Sequence, residues 1–86
     1  MEPNDLFFRL NRLNYHHLYH FWWVGRLGNL TRAADQLHVA QSAVSTHVHR
    51  LESALGQTLF DRQGRALQLT EAGRVAMRHA EEIFQS

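Results

Sequence analysis

Residues 30–56 read LTRAADQLHVAQSAVSTHVHRLESALG, and this stretch determines the fold. Apolar residues recur at helical spacing on both sides of a break at residues 38–40, which predicts a short helix over residues 30–37 and a longer one over residues 41–55. Gly56 is placed to end the longer helix in a left-handed conformation. The small Ala33-Ala34 pair allows the two helices to cross closely, and we expect a wedge to fix their angle, formed by Leu37, Val39, Val44 and Val48. The pattern therefore predicts a helix-turn-helix.

The preceding segment predicts another helix, from residue 15 to about residue 26. Its apolar positions follow helical spacing and are Tyr15, Leu18, Phe21, Trp22 and Gly25. Gly28 ends this helix, and either Asn29 or Thr31 can cap the next one with its side-chain oxygen.

The following segment predicts a β-hairpin and a final helix. Two short strands, at residues 58–60 and 66–69, flank a turn at residues 62–65 that contains a glycine. Thr70 is a good N-cap for a helix that runs to the end of the chain, with Glu71 in its first turn. The predicted fold class is mainly α: a winged helix-turn-helix with a two-stranded wing and a long C-terminal helix.

Composition narrows the class of protein. The chain has 86 residues, a net charge of +1, nine Arg and no Lys, and no Cys. This length supports one domain and few enzymes, and the absence of Cys excludes disulfides, thiolate zinc sites and Cys nucleophiles. No apolar run approaches the roughly 18 residues of a membrane span, and no signal peptide is recognisable. We expect a cytoplasmic protein that is not an enzyme and does not contact a membrane.

The polar side chains fall where a DNA-binding surface needs them. The outer face of the third predicted helix carries amides, hydroxyls and a weakly basic ring, which can meet base edges in the major groove: Gln41, Ser42, Ser45, Thr46, His49 and Ser53. Arg62 and Arg65 flank the glycine of the hairpin turn, where they can reach a phosphate or a narrow minor groove. Arg50 either pairs with a neighbouring acid such as Glu52 or contacts phosphate.

The ordered motifs resemble the DNA-binding domain of LysR-type transcriptional regulators. The resemblance extends from about residue 15 to the end and rests on residues 30–37, 39–45, 51–52, 55–56, 59–65 and 69–73. It implies a bacterial, cytoplasmic, sequence-specific binder of double-stranded DNA without a cofactor. It also implies a winged domain over residues 14–70 and a linker helix over residues 71–86. Residues 1–13 precede the resemblance and form either a loose N-terminal arm or a short extra turn. An effector domain would follow in a longer protein.

The resemblance also implies roles for individual residues. DNA contacts are expected from Thr31, Gln41, Ser42, Ser45, Thr46, His49, Arg50, Arg62 and Arg65. A homodimer is expected through the apolar stripe of the last helix, and the family allows a tetramer in the full-length protein; the stripe contains Val75, Ala76, Ala80, Ile83 and Phe84. We expect one small domain to be unable to bury the whole of this stripe.

Three positions depart from the family pattern, and one segment indicates a branch. Ser42 stands where many members have Pro, Thr46 where a basic residue is frequent, and His49 where Arg, Lys or Gln is common. These changes lower the expected charge-driven affinity for DNA.

Residues 14–22, NYHHLYHFW, resemble the branch of the family that regulates sodium/proton antiporters.

Seven His residues leave a second class of function open. His16 and His20 have a spacing that can hold a metal ion, whereas His47 and His49 point apart on a helix. No carboxylate accompanies the first pair, so no metal site is predicted. A third alternative is a protein-interaction module that uses the last helix.

If His47 and His49 face DNA, affinity for DNA should rise as the pH falls from about 8 to 6.

Overall fold

The computed structural model describes residues 14–63 and 66–85, which form four helices and one antiparallel hairpin. The predicted N-terminal arm, Gly64 and Arg65 lie outside the described residues. In chain order the elements are α1 (Tyr15–Leu27), α2 (Leu30–Leu37), α3 (Gln41–Leu55), β1 (Phe60–Gln63), β2 (Ala66–Leu69) and α4 (Glu71–Phe84). The predicted fold class, a mainly helical winged helix-turn-helix, is confirmed.

Helix ends are set by short polar side chains and by left-handed residues. Asn29 caps α2 by accepting a hydrogen bond from the Arg32 amide at 2.9 Å, so the cap is Asn29 and not Thr31. Gly56 ends α3 at φ 65°, as expected. His38 ends α2 at φ 57°, a conformation that residues other than Gly rarely adopt. His38 therefore marks the start of the turn between α2 and α3.

The core lies where α1, α2, α3 and α4 meet. Its largest fully buried side chains come from α1, α3 and the approach to the wing: Phe21, Leu18, Leu51, Leu55, Leu59, Val24 and Val44. Ala33 and Ala34 are buried between α2 and its neighbours, as predicted. Tyr15, the first apolar position predicted for α1, is 56% exposed. The prediction of Val39 as a wedge residue is wrong, because Val39 is 39% exposed beyond the reversal of the chain at His38.

The first strand begins later than predicted, at Phe60 instead of residue 58. The backbone groups just before it bond elsewhere: the Leu59 amide donates to Glu52 at 2.7 Å and the Leu59 carbonyl accepts from the Thr70 amide at 3.0 Å. The Thr58 carbonyl accepts from the Thr70 hydroxyl at 2.6 Å. The ladder therefore starts with the pair Phe60–Leu69 and ends with Gln63–Ala66.

The last helix packs against its own domain more closely than predicted. Ala76 and Ala80 are fully buried, and the ring of Phe84 lies 5.1 Å from the ring of Tyr19 and 5.4 Å from that of Trp22. Ala76 and Ala80 of the predicted stripe therefore belong to the core of the domain, because their small side chains let α4 approach α1. Val75, Ile83 and Phe84 remain only partly buried.

Candidate nucleic-acid interface

The outer face of α3 is polar and open to solvent. Gln41, Ser42, Thr46, His49, Arg50 and Ser53 are exposed, and Ser45 is half-buried. The opposite face holds Val44, Val48, Leu51 and Leu55 in the core. This division follows the helical period and leaves hydrogen-bonding groups on one side of an anchored helix.

Two hydrogen bonds orient side chains at the start of this face. The Gln41 amide donates to the Thr31 hydroxyl at 2.7 Å, which joins the starts of α3 and α2. The Thr46 hydroxyl donates to the Ser42 carbonyl at 2.8 Å. Four of the predicted contact residues therefore form one continuous surface, and Gln41 retains its side-chain carbonyl as an acceptor.

Glu52 takes a structural role that the sequence reading did not identify. One carboxylate oxygen accepts from the Leu59 amide at 2.7 Å, and the other lies 3.1 Å from His49 Nδ1. The suggested pairing of Arg50 with Glu52 is wrong, because Glu52 is engaged elsewhere. Within the described part of the chain Arg50 makes no ion pair.

His47 and His49 lie on opposite borders of the α3 face. The side chain of His49 is 75% exposed beside Glu52, whereas His47 is half-buried against α1. The ring nitrogens His47 Nδ1 and His17 Nδ1 are 2.7 Å apart, and the His47 ring stacks on that of His20 with centroids 3.9 Å apart. His16 stacks more loosely on His47, at 6.3 Å. We call these four side chains the histidine cluster: His16, His17, His20 and His47.

Burial lowers the pKa of His47 below its ordinary value, and the positive fields of His20, His17, His16 and Arg50 lower it further. Burial also lowers the pKa of His17, with Arg50 as the next cause. Both lowered pKa values favour the neutral rings of His17 and His47. Sequence reasoning missed His17, although the pair His16-His17, one turn before His20, was the available signal.

An open cleft of about 390 Å³ lies between the first turn of α1 and α3. It is lined by His17, Ser42, Ala43, Thr46, His47 and Arg50. Three of these were predicted DNA contacts, so the cleft is continuous with the polar face of α3.

The structure describes the two strands of the wing but not residues 64 and 65 between them. Arg62 belongs to β1 opposite Leu67, and Arg65 lies outside the described residues. The predicted contacts of these two arginines therefore stay predictions.

Across the described ranges no three metal-binding side chains are arranged to hold an ion. The helices described there are too short or too polar to span a bilayer.

Comparison with known proteins identifies the class. Residues 15–74 match the family model described as "Bacterial regulatory helix-turn-helix protein, lysR family". The chain is 35% identical over 75 residues to the transcriptional activator protein NhaR of Escherichia coli (strain K12), covering 87% of this chain and 25% of that protein. It is 46% identical over 63 residues to the RuBisCO operon transcriptional regulator of Allochromatium vinosum, covering 73% and 21%.

Solved structures agree with this assignment. The BenM DNA-binding domain in complex with catB site 1 DNA superposes with a TM-score of 0.80 at 30% identity, covering 85% of this chain and 82% of that one. The CbnR DNA-binding domain in complex with DNA gives 0.78 at 33% identity, covering 85% and 84%. The chain belongs to the LysR family of bacterial regulators and corresponds to the DNA-binding domain of that family. This domain is a regulator module and not an enzyme. It spans about a quarter of the length of NhaR.

Proposed function

We propose that this domain binds a specific double-stranded sequence with α3 in the major groove and the wing against the backbone or minor groove. The observation that carries the proposal is the exposed polar face of α3, held by a buried apolar face on the other side. Amides and hydroxyls on such a helix can bond to base edges. The resemblance to domains crystallised with DNA supports the same placement.

Individual roles divide between base and backbone. Gln41, Ser42, Ser45 and Thr46 are the proposed base-reading residues, with Thr31 positioning Gln41 through its 2.7 Å hydrogen bond. Arg50, Arg62 and Arg65 are the proposed backbone contacts, because a guanidinium matches phosphate geometry. His49 extends the polar face toward the wing.

The domain is proposed to dimerise through α4, with residues 1–13 as an arm, 14–70 as the winged domain and 71–86 as part of a linker helix. Val75, Ile83 and Phe84 support this because they remain partly exposed along one helix. Ala76 and Ala80 contribute by allowing α4 to pack on its own domain rather than by contacting a partner. A tetramer and an effector domain belong to the same proposal for a longer, cytoplasmic regulator.

The branch is also a proposal. The match to NhaR reaches over 87% of the chain and includes the start of α1, while matches to RuBisCO regulators are shorter but more identical. We place this domain with NhaR. The sequences that this domain and the corresponding NhaR segment select from a random duplex library should be related, and unrelated sequences would contradict the placement.

Titration of single variants tests the division of roles. Gln41→Ala or Ser45→Ala should cost about 1–3 kcal/mol on the preferred duplex and little on random duplex, because a base contact is lost. Arg50→Ala should weaken binding to both and reduce the salt slope by about one unit, because a phosphate contact is lost. Fluorescence anisotropy at several salt concentrations measures both effects.

Gln36→Ala is the matched control, since Gln36 is exposed on α2 and lies outside the polar face of α3. It should leave affinity for both duplexes close to that of the unmodified chain. Equal losses on specific and random duplex for Gln41→Ala, Ser45→Ala and Arg50→Ala would show that the faces have been assigned wrongly.

A further inference from the structure

The cleft beside the histidine cluster combines hydrogen-bond donors with a cation that has no anionic partner among the described residues. Arg50 lines it without an ion pair to any described residue, and Ser42 is a second polar residue of the lining. Among the described residues, no carboxylate lines the cleft. A site with a guanidinium, a hydroxyl and two imidazoles is suited to a phosphate oxygen.

The chemistry of the His17–His47 pair is set by one short hydrogen bond. Because the two Nδ1 atoms are 2.7 Å apart, one Nδ1–H donates and the other Nδ1 accepts. The accepting ring then carries its hydrogen on Nε2, and the donating ring has a free lone pair on Nε2. An added proton can enter at that lone pair and keep the hydrogen bond, whereas a second would place hydrogens on both Nδ1 atoms and break it. The pair can therefore take up one proton.

In the free protein, the charged and titratable groups around the pair disfavour the uptake of this proton. The charged and titratable groups that act on the pair are His16 and His20 from α1 and Arg50 from α3, and no carboxylate of the described residues is among them. His20 is itself fixed, because its Nδ1–H donates to the His16 carbonyl at 2.7 Å. An anion in the cleft would oppose this positive field and favour the protonated pair.

We propose that this cleft receives a backbone phosphate of bound DNA and that the His17–His47 pair takes up one proton as the phosphate enters. The inference rests on the proposed function, since the phosphate arrives with the duplex read by α3. It gives α1 a part in DNA binding, through His17, and it makes affinity depend on pH. The His49 ring, on the other border of α3 beside Glu52, has no part in this coupling.

The test is a titration of the full chain with its preferred duplex at fixed salt, at about pH 8, 7 and 6, with a chelator present to exclude metal ions. Binding that takes up one proton strengthens by at most about tenfold per pH unit. We expect the Kd to fall about three- to tenfold between pH 8 and 6. Calorimetry in two buffers of different ionisation enthalpy should show uptake of up to one proton per domain.

The variants His17→Gln and His47→Gln, alone and together, should abolish both the pH dependence and the proton uptake. His49→Gln is the matched control on the same helix and should keep both. Thermal melting of each variant at pH 8 verifies that it is folded. A Kd that does not change with pH, a pH dependence retained in the double variant, or one lost in His49→Gln would overturn the inference.

The two proposals fail in different ways. If no duplex sequence is preferred at pH 8, the proposed function fails and the inference fails with it. If a sequence is preferred at pH 8 and its Kd is the same at pH 6, only the inference fails.

Discussion

At the scale of single residues, one glycine connects the wing to the last helix. A Cβ at Gly73 would collide with the backbone carbonyl oxygen of Leu59. The Gly73 amide also donates to the Thr70 hydroxyl at 3.0 Å, which caps α4. The absence of a side chain lets α4 begin directly against the strand entry, so the orientation of the wing depends on this position.

We expect Gly73→Ala to lower the free energy of unfolding by about 1–3 kcal/mol, because a backbone carbonyl cannot move away cheaply. Gly25→Ala provides the comparison. Its Cβ would lie 2.5 Å from Met77 Sδ, an atom of a flexible side chain that can change rotamer. Urea denaturation should give a larger loss for Gly73→Ala than for Gly25→Ala, and the reverse order would contradict this account of the junction.

Local sequence predicts capping residues well but not long-range partners. Thr70 and Gly56 were identified because the signal lies within a few positions of the helix end. Glu52 and His17 were not, because their partners lie 7 and 30 residues away. Nothing in the neighbourhood of Glu52 indicates that its carboxylate would meet the Leu59 amide.

At the scale of elements, the α1–α3 interface contains titratable groups where apolar ones are usual. His20 is 8% exposed and packs in this interface with His17 and His47. An ordinary histidine titrates near pH 6.5, which is the value for the unfolded chain. In the folded chain the pKa of both His17 and His47 is lower, because of burial and positive neighbours.

The free energy of unfolding should therefore decrease as the pH falls below about 6.5. Below about pH 6.5 the unfolded chain binds more protons at these two positions than the folded chain does. Above that pH both rings are neutral in both states, and the free energy of unfolding no longer depends on their titration. Denaturation between about pH 7.5 and 5.5 measures the slope. His17→Gln with His47→Gln should flatten it and His49→Gln should not. A stability that rises on acidification would contradict the assigned direction.

The elements also show why strand bounds were the weakest prediction. The α2 and α3 bounds follow from apolar periodicity and stop signals and were confirmed. The first strand begins two residues later than predicted, because the backbone of Thr58 and Leu59 bonds to Thr70 and Glu52 instead of to a partner strand. Such competition is a tertiary effect that a short strand pattern does not encode.

In the assembled domain, the apolar side chains of α4 have two roles. It covers the core with Ala76 and Ala80 and leaves Val75 and Ile83 partly exposed. The stripe was correctly predicted as apolar, but its division between core and surface was not. That division depends on how closely α4 approaches α1, which only the packed structure shows.

Ile83→Asp should shift the chain from dimer toward monomer and weaken binding to a two-half-site duplex, because it places a charge in the proposed contact. Phe84 is unsuitable for this test, since its ring packs on Tyr19 and Trp22. Glu82→Ala, at an exposed neighbouring position, should leave the oligomeric state unchanged. Analytical ultracentrifugation with and without duplex gives the answer. An unmodified chain that stays monomeric even on its preferred duplex would exclude dimerisation through α4.

Selection of bound sequences from a random duplex library, at a fixed and stated salt concentration, decides whether this domain recognises particular base sequences. If α3 reads bases and α4 pairs two domains, the bound pool should be enriched in two related half-sites about one helical turn, roughly 34 Å, apart or at a related spacing. Selection with Gln41→Ala should lose preference at particular positions of each half-site. A bound pool indistinguishable from the starting library would contradict sequence-specific recognition by this domain.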